Sequence, residues 1–205
     1  MQVTLNLGRV QLEGILELPP GAKSAVLFAH GSGSGRLSPR NNYVARVLRE
    51  AGLGTLLFDL LTSEEDRDYL NRFDIDLLAD RLAAATIWLL GRAENLVSLG
   101  YFGASTGAAA ALQASVERTE VHAIVSRGGR PDLAADCLDS ITAPTLLVVG
   151  GRDEEVLMLN RQALARISAE KDLIVIPGAT HLFEEPGALE EVTKAAASWF
   201  GRFLE

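Results

Sequence analysis

Cysteine is nearly absent from this chain of 205 residues, where Cys137 stands alone. No internal disulfide can form, so the fold must stand on its apolar core, which suits a reducing cytoplasm. Histidine is almost as scarce. His30, His122 and His181 are scattered without the spacing of a metal site, and no bound metal is expected. Positive charge is short too: a net charge of −8 without a basic run speaks against nucleic acid as a partner. No apolar stretch approaches the ~20 residues of a membrane-spanning helix. Met1 leads almost at once into alternating, strand-like sequence (Val3, Leu5, Leu7) instead of the basic start and apolar middle of a secretion signal. The expectation is a cytoplasmic protein without a membrane partner. With neither linker nor repeat nor low-complexity segment, it should be one domain over residues 1–205.

Short apolar runs, in contrast, are plentiful. Residues 2–7 and 9–18 alternate around the break Asn6, Leu7, Gly8, which predicts an antiparallel hairpin. Ala25 to Ala29 and Thr55 to Phe58 are continuous apolar runs of the kind that strands buried on both faces require. Between them Tyr43, Val44, Val47, Leu48 and Ala51 have helical spacing, closed by Gly52. Thr62 to Asn71 is charged and aperiodic and reads as a loop, and Ile75 to Leu89 outlines a long amphipathic helix stopped by Gly91. Strands follow at Ala123–Val125, Thr145–Val149 and Leu173–Ile176, with helices over Val156–Ile167 and Leu189–Phe200. Alternation of this kind predicts an α/β fold: a mostly parallel central sheet with helices on both faces and an N-terminal antiparallel hairpin.

The stretch from Leu96 to Ala111 organises the rest. An apolar run enters a tight turn, Gly103, Ala104, Ser105, Thr106, Gly107, and leaves as an alanine-rich helix, with Ser105 at the corner. Side chains two positions either side of that corner would collide with the neighbouring strand and helix, hence glycine at both. Three further unusual segments leave the carboxyl ends of expected strands, where open parallel sheets place their ligand crevice. They are the glycine loop His30 to Gly35, the turn ending at Asp153 and the turn ending at His181. The glycine loop lacks both the Gly-Lys-Ser/Thr of a P-loop and the Gly-x-Gly-x-x-Gly of a dinucleotide fold, and no cofactor is expected. A serine hydroxyl is a poor nucleophile until a base takes its proton, which gives His181 a role, and an acid on the other imidazole nitrogen gives Asp153 one. Plainer readings exist: Asp153 as a helix N-cap, His181 as packing, His30 as structural and His122 as uninvolved.

The turn around Ser105, followed by Asp153 and His181, resembles the nucleophile elbow and the Ser, acid, His order of the α/β-hydrolase superfamily. The resemblance covers essentially the whole chain and is nearest to small dienelactone-hydrolase-like enzymes. It implies a catalytic triad of Ser105, Asp153 and His181, and an oxyanion hole made by the backbone N–H groups of Ser32 and Thr106, with Gly33 in reserve. The stretch between Ser126 and Thr145 leaves no room for the cap domain of many relatives. Dienelactone hydrolases proper use a cysteine nucleophile, and serine at position 105 shifts the expectation to a serine esterase of small carboxylic esters, with lactones or thioesters as relatives of that substrate. Arg36, Arg40, Arg127 and Arg130 lie in loops that should flank the crevice; Gly33, Arg40 and Arg127 are the candidate substrate-binding residues, the arginines for a substrate carboxylate. Two other readings use the same fold: a non-catalytic small-ligand receptor, and an acyltransferase with the same triad. Assembly into a homo-oligomer is left open.

Overall fold

A computed structural model describes residues 1–93 and 95–204; Glu94 and Glu205, the last residue of the expected domain, lie outside the described residues. Eight strands form one sheet in the order β1-β2-β4-β3-β5-β6-β7-β8. The expected hairpin is β1 (Gln2–Leu7) and β2 (Val10–Glu17), and β2 lies antiparallel against β4 (Gly54–Phe58). All later pairings are parallel, through β3 (Ser24–Ala29), β5 (Ser98–Ala104), β6 (Val121–Arg127), β7 (Thr145–Gly150) and β8 (Lys171–Ile176). Every residue of β3, β4, β5 and β7 is buried, as their continuous apolar runs require.

Helices cover both faces. α1 (Pro39–Glu50) and α5 (Ala188–Phe203) pack Val44, Leu48, Val192, Ala196 and Phe200 on one side. α2 (Ile75–Leu90), α3 (Thr106–Ser115) and α4 (Glu154–Arg166) pack Leu78, Leu82, Ala109, Ala110, Ala111, Ala114 and Ala163 on the other. Local chemistry sets the helix ends. The Ser38 hydroxyl accepts from Asn41 N–H with Pro39 at the first helical position, and Gly52 takes φ +90° just past the end of α1.

One expectation needs correction. Thr62 to Asn71 is not a featureless loop: Glu65–Arg67 and Tyr69–Phe73 form two short 3-10 helices. Side chains hold them, not a buried face. Thr62 N–H donates to Glu65 Oε2 and Glu65 N–H to Thr62 Oγ1, and Arg72 forks onto Asp66, so no hydrophobic period marks the segment. Between β6 and β7, residues 131–140 form 3-10 turns kinked at Ala134 that lie against α3 and α4, with no inserted domain over the carboxyl edge.

β3 pairs with β4 on one side and β5 on the other, so the chain reverses its direction of growth at β3. Ala29 is level with Gly103, which brings the loop after β3 beside the turn after β5.

Candidate active site

Ser105 has φ 51° and ψ −121°, a backbone state that costs a non-glycine residue about 1–3 kcal/mol. Close packing on both sides enforces it. A Cβ on Gly103 would stand 2.4 Å from Ala108 Cα in α3, and one on Gly107 would stand 2.2 Å from the Ala29 carbonyl oxygen in β3. Ser105 N–H donates to the Arg127 carbonyl at 3.2 Å, and its own carbonyl accepts from Ala108 and Arg130. Its hydroxyl has no hydrogen-bond partner among the described residues.

Asp153 occupies the N-cap position of α4 without making a side-chain cap bond. Its Oδ2 instead lies 2.6 Å from His181 Nδ1, which donates to it. The turns that carry these two residues extend the β7–β8 ladder. Gly151 N–H reaches the Ile176 carbonyl and Arg152 N–H the Ala179 carbonyl, while a Cβ on Gly150 would come 2.5 Å from Ala179 O. With Nδ1 bonded to the acid, Nε2 is left for a proton. Ser105 and His181 flank a single dipeptide: Arg127 O takes Ser105 N–H, and a Cβ on Gly128 would lie 3.5 Å from Cε1 and Nδ1 of the imidazole. The three positions thus gather at one end of the sheet.

The glycine loop passes directly over the elbow, since a Cβ on Gly31 would lie 3.0 Å from Ser105 Cβ. Thr106 begins α3, so its N–H has no intrahelical acceptor. Ser32 differs: its N–H donates to Thr106 Oγ1 at 3.0 Å and is already engaged. Gly33 has φ +70° and lies beside Arg72. Asp59, at the end of β4, accepts from Arg36 N–H and pairs with its guanidinium, which fixes the far side of the loop. His30 lies beneath, half-buried, its Nδ1 donating to Gly31 O and its Nε2 accepting from Leu60 N–H. Burial pushes its pKa down, which keeps it neutral.

Two arginines expected in loops lie elsewhere: Arg40 is in the first turn of α1 and pairs with Glu184 at 3.1 Å, and Arg127 is the last, buried residue of β6, because the strand runs on past its apolar stretch; Arg130 pairs with Asp132. Sequence reasoning had no signal for two supports of the histidine turn. Glu185 accepts from Thr180 Oγ1 at 2.7 Å and from Thr180 N–H, bonds that hold its carboxyl below the usual glutamate range. Phe183, buried two residues after His181, takes φ 55°. Among the described residues no group of His, Cys, Asp or Glu is placed to hold a metal, and no helix is long and apolar enough to cross a membrane.

Residues 58–205 match the dienelactone hydrolase family. A crystal structure of dienelactone hydrolase from Anabaena variabilis ATCC 29413 superposes with a TM-score of 0.96 at 54% identity, covering 100% of this chain and 98% of that one. Est1E from Butyrivibrio proteoclasticus shares the fold, with a TM-score of 0.85 at 17% identity over 98% of both chains. A Mycobacterium tuberculosis protein provisionally named a phosphoribosyl transferase is 57% identical over 201 residues, which are 97% of this chain and 45% of that protein. The chain thus spans about half the length of the curated relatives it matches.

Proposed function

This chain belongs to the dienelactone hydrolase family, and from that premise we propose that it cleaves small carboxylic esters through an acyl-enzyme on Ser105. The observation that carries the reading is the 2.6 Å bond from His181 Nδ1 to Asp153 beside a strained serine whose hydroxyl is unoccupied. In this mechanism His181 Nε2 takes the proton as Ser105 Oγ attacks the ester carbonyl. Asp153 holds the productive tautomer and stabilises the imidazolium that forms. The negative charge on the tetrahedral oxygen meets Thr106 N–H and the glycine loop, where Ser32 N–H turns from the Thr106 hydroxyl or is shared with it. Imidazolium then protonates the leaving alcohol, and water, activated by the same base, releases the acid. With only 3-10 turns between β6 and β7, no insert at that connection closes the crevice, which suits short acyl groups. The phosphoribosyl transferase name belongs to a protein more than half of which lies outside the match and is not carried to this chain.

A fluorophosphonate probe, with a panel of esters, lactones and thioesters, tests the reading. Wild type should label and turn over at least one ester class, and Ser105→Ala should do neither. A wild-type protein that neither labels nor hydrolyses, as a ligand receptor would behave, removes the proposal.

A further inference from the structure

Asn160 lies inside α4, seven residues after Asp153, and is 0% exposed. Asparagine suits such a position poorly, because its amide competes with the backbone and must be satisfied out of reach of water. Its Nδ2 donates twice, to the Gly129 carbonyl at 2.9 Å and to the Val156 carbonyl at 2.8 Å. Both partners are acceptors, so the nitrogen must face them, and Oδ1 is left with no hydrogen-bond partner among the described residues. For stability the amide gains nothing on balance: it satisfies one carbonyl of a buried glycine and leaves one buried acceptor, its own, unsatisfied. The segment it holds gives it another use. Residues 127–130 grip both main-chain groups of Ser105: the Arg127 carbonyl accepts from Ser105 N–H, and Arg130 N–H donates to the Ser105 carbonyl, each at 3.2 Å. Between them Gly128 lies against the His181 imidazole. A Cβ on Gly129 would stand 2.0 Å from Ser126 Oγ, so the segment rests on that hydroxyl, which makes no hydrogen bond to it. Among the described residues, Asn160 makes the only side-chain hydrogen bond to the backbone of 127–130.

We propose that Asn160 is a positioning residue: through Gly129 it ties α4, the helix that Asp153 begins, to the segment that sets Ser105 against His181. This rests on the esterase reading and adds to it that Asp153 and Ser105 are kept in register by one buried amide. Asp153 bonds the imidazole and Gly128 lies against the same ring, so a fixed spacing between α4 and residues 127–130 is a fixed place for the ring. Without the amide, the Gly129 carbonyl is left buried and unpaired, and the segment must move to reach water. A misplacement of about 1 Å in such a constellation is enough to cost about 100-fold in rate.

The test uses Asn160→Leu, which keeps the branching of the side chain and removes its polarity. One orphaned acceptor replaces another, so Tm should stay close to that of wild type. On the ester that wild type turns over best, kcat should fall about tenfold or more with KM within about twofold. The His181 Cε1–H resonance should move, while that of His122, near the start of β6, stays. An unmoved His181 resonance in the folded variant overturns the proposal, and so does a moved one with kcat unchanged. A fall in Tm with rate and resonance both kept assigns Asn160 to stability alone and overturns it too. Failure of wild type to label with the fluorophosphonate or to hydrolyse any ester removes the esterase reading instead. The resonance then decides by itself: moved, the tie between α4 and residues 127–130 stands, and unmoved, it falls. Should Asn160→Leu fail to fold, Asn160→Ala carries the same measurements.

Discussion

The Asp153 carboxylate sits at the start of α4 but bonds to His181, 2.6 Å away, and caps nothing. An aspartate in that position ordinarily satisfies a helix N–H, and losing such a cap costs about 1 kcal/mol. Asp153→Asn should leave thermal stability close to wild type and, under the esterase reading, lower kcat by something on the order of 10⁴-fold, because an amide permits the wrong imidazole tautomer. Melting curves and steady-state rates on one ester decide it. A large loss of stability with little loss of rate would assign Asp153 to the helix.

Much of this arrangement was legible in the chain, for reasons that can be named. Ala25 to Ala29 and Thr55 to Phe58 read as buried strands because nothing polar interrupts them, and Gly103 and Gly107 signal the elbow because sterics leave no alternative. The two 3-10 helices after β4 were hidden because the side chains of Thr62, Glu65, Asp66 and Arg72 hold them, not an apolar face. Ser32 could be named as a donor, but its engagement with the Thr106 hydroxyl depends on a rotamer no pattern encodes. Arg127 did leave a trace, as a cation extending the apolar strand Ala123, Ile124, Val125; its lack of a partner is a property of three dimensions only.

The elbow stores strain at Ser105. Glycine adopts φ 51° without the penalty that serine bears, so Ser105→Gly should be more stable than Ser105→Ala by roughly 1 kcal/mol, and under the esterase reading both are inactive. Urea titrations of the two variants measure the difference directly. Equal stabilities would mean that the turn relaxes once the hydroxyl is gone.

Two glycine-to-alanine changes should act in opposite directions. At Gly107 the new methyl would meet the Ala29 and His30 carbonyls at 2.2 and 2.4 Å, so backbone must move, at about 1–3 kcal/mol or more. Gly201 lies inside α5 with nothing within 4 Å of its Cβ position, and alanine there should stabilise by about 0.5–1 kcal/mol. Denaturant midpoints at unchanged slope give both signs.

The Thr106 hydroxyl ties the glycine loop to the elbow through Ser32 N–H. Thr106→Ser keeps that acceptor and should behave as wild type. Thr106→Val removes it, destabilising by about 1 kcal/mol. Under the esterase reading it should lower kcat more than it raises KM, since a displaced loop donor matters most when the oxygen carries charge. Rates and melts of the pair separate lost hydrogen bonding from lost shape.

Glu185 gives the histidine turn a dependence on pH that lies outside the imidazole itself. Hydrogen bonds from Thr180 Oγ1 and N–H favour its charged form and lower its pKa from the ordinary 4.5. A carboxyl whose folded pKa is depressed stabilises the folded state fully above its unfolded value, and that contribution fades as pH falls through the folded one. The stability advantage of wild type over Glu185→Gln should therefore be constant near neutrality and shrink as the medium is acidified below about pH 4.5. Because Thr180 adjoins His181, under the esterase reading the same variant should also blunt kcat at neutral pH, where the turn would otherwise be held. Chemical melts of both proteins at several pH values, paired with rates at pH 7, test the two effects together. A stability difference that grows on acidification would reverse the sign of the coupling and exclude the clamp.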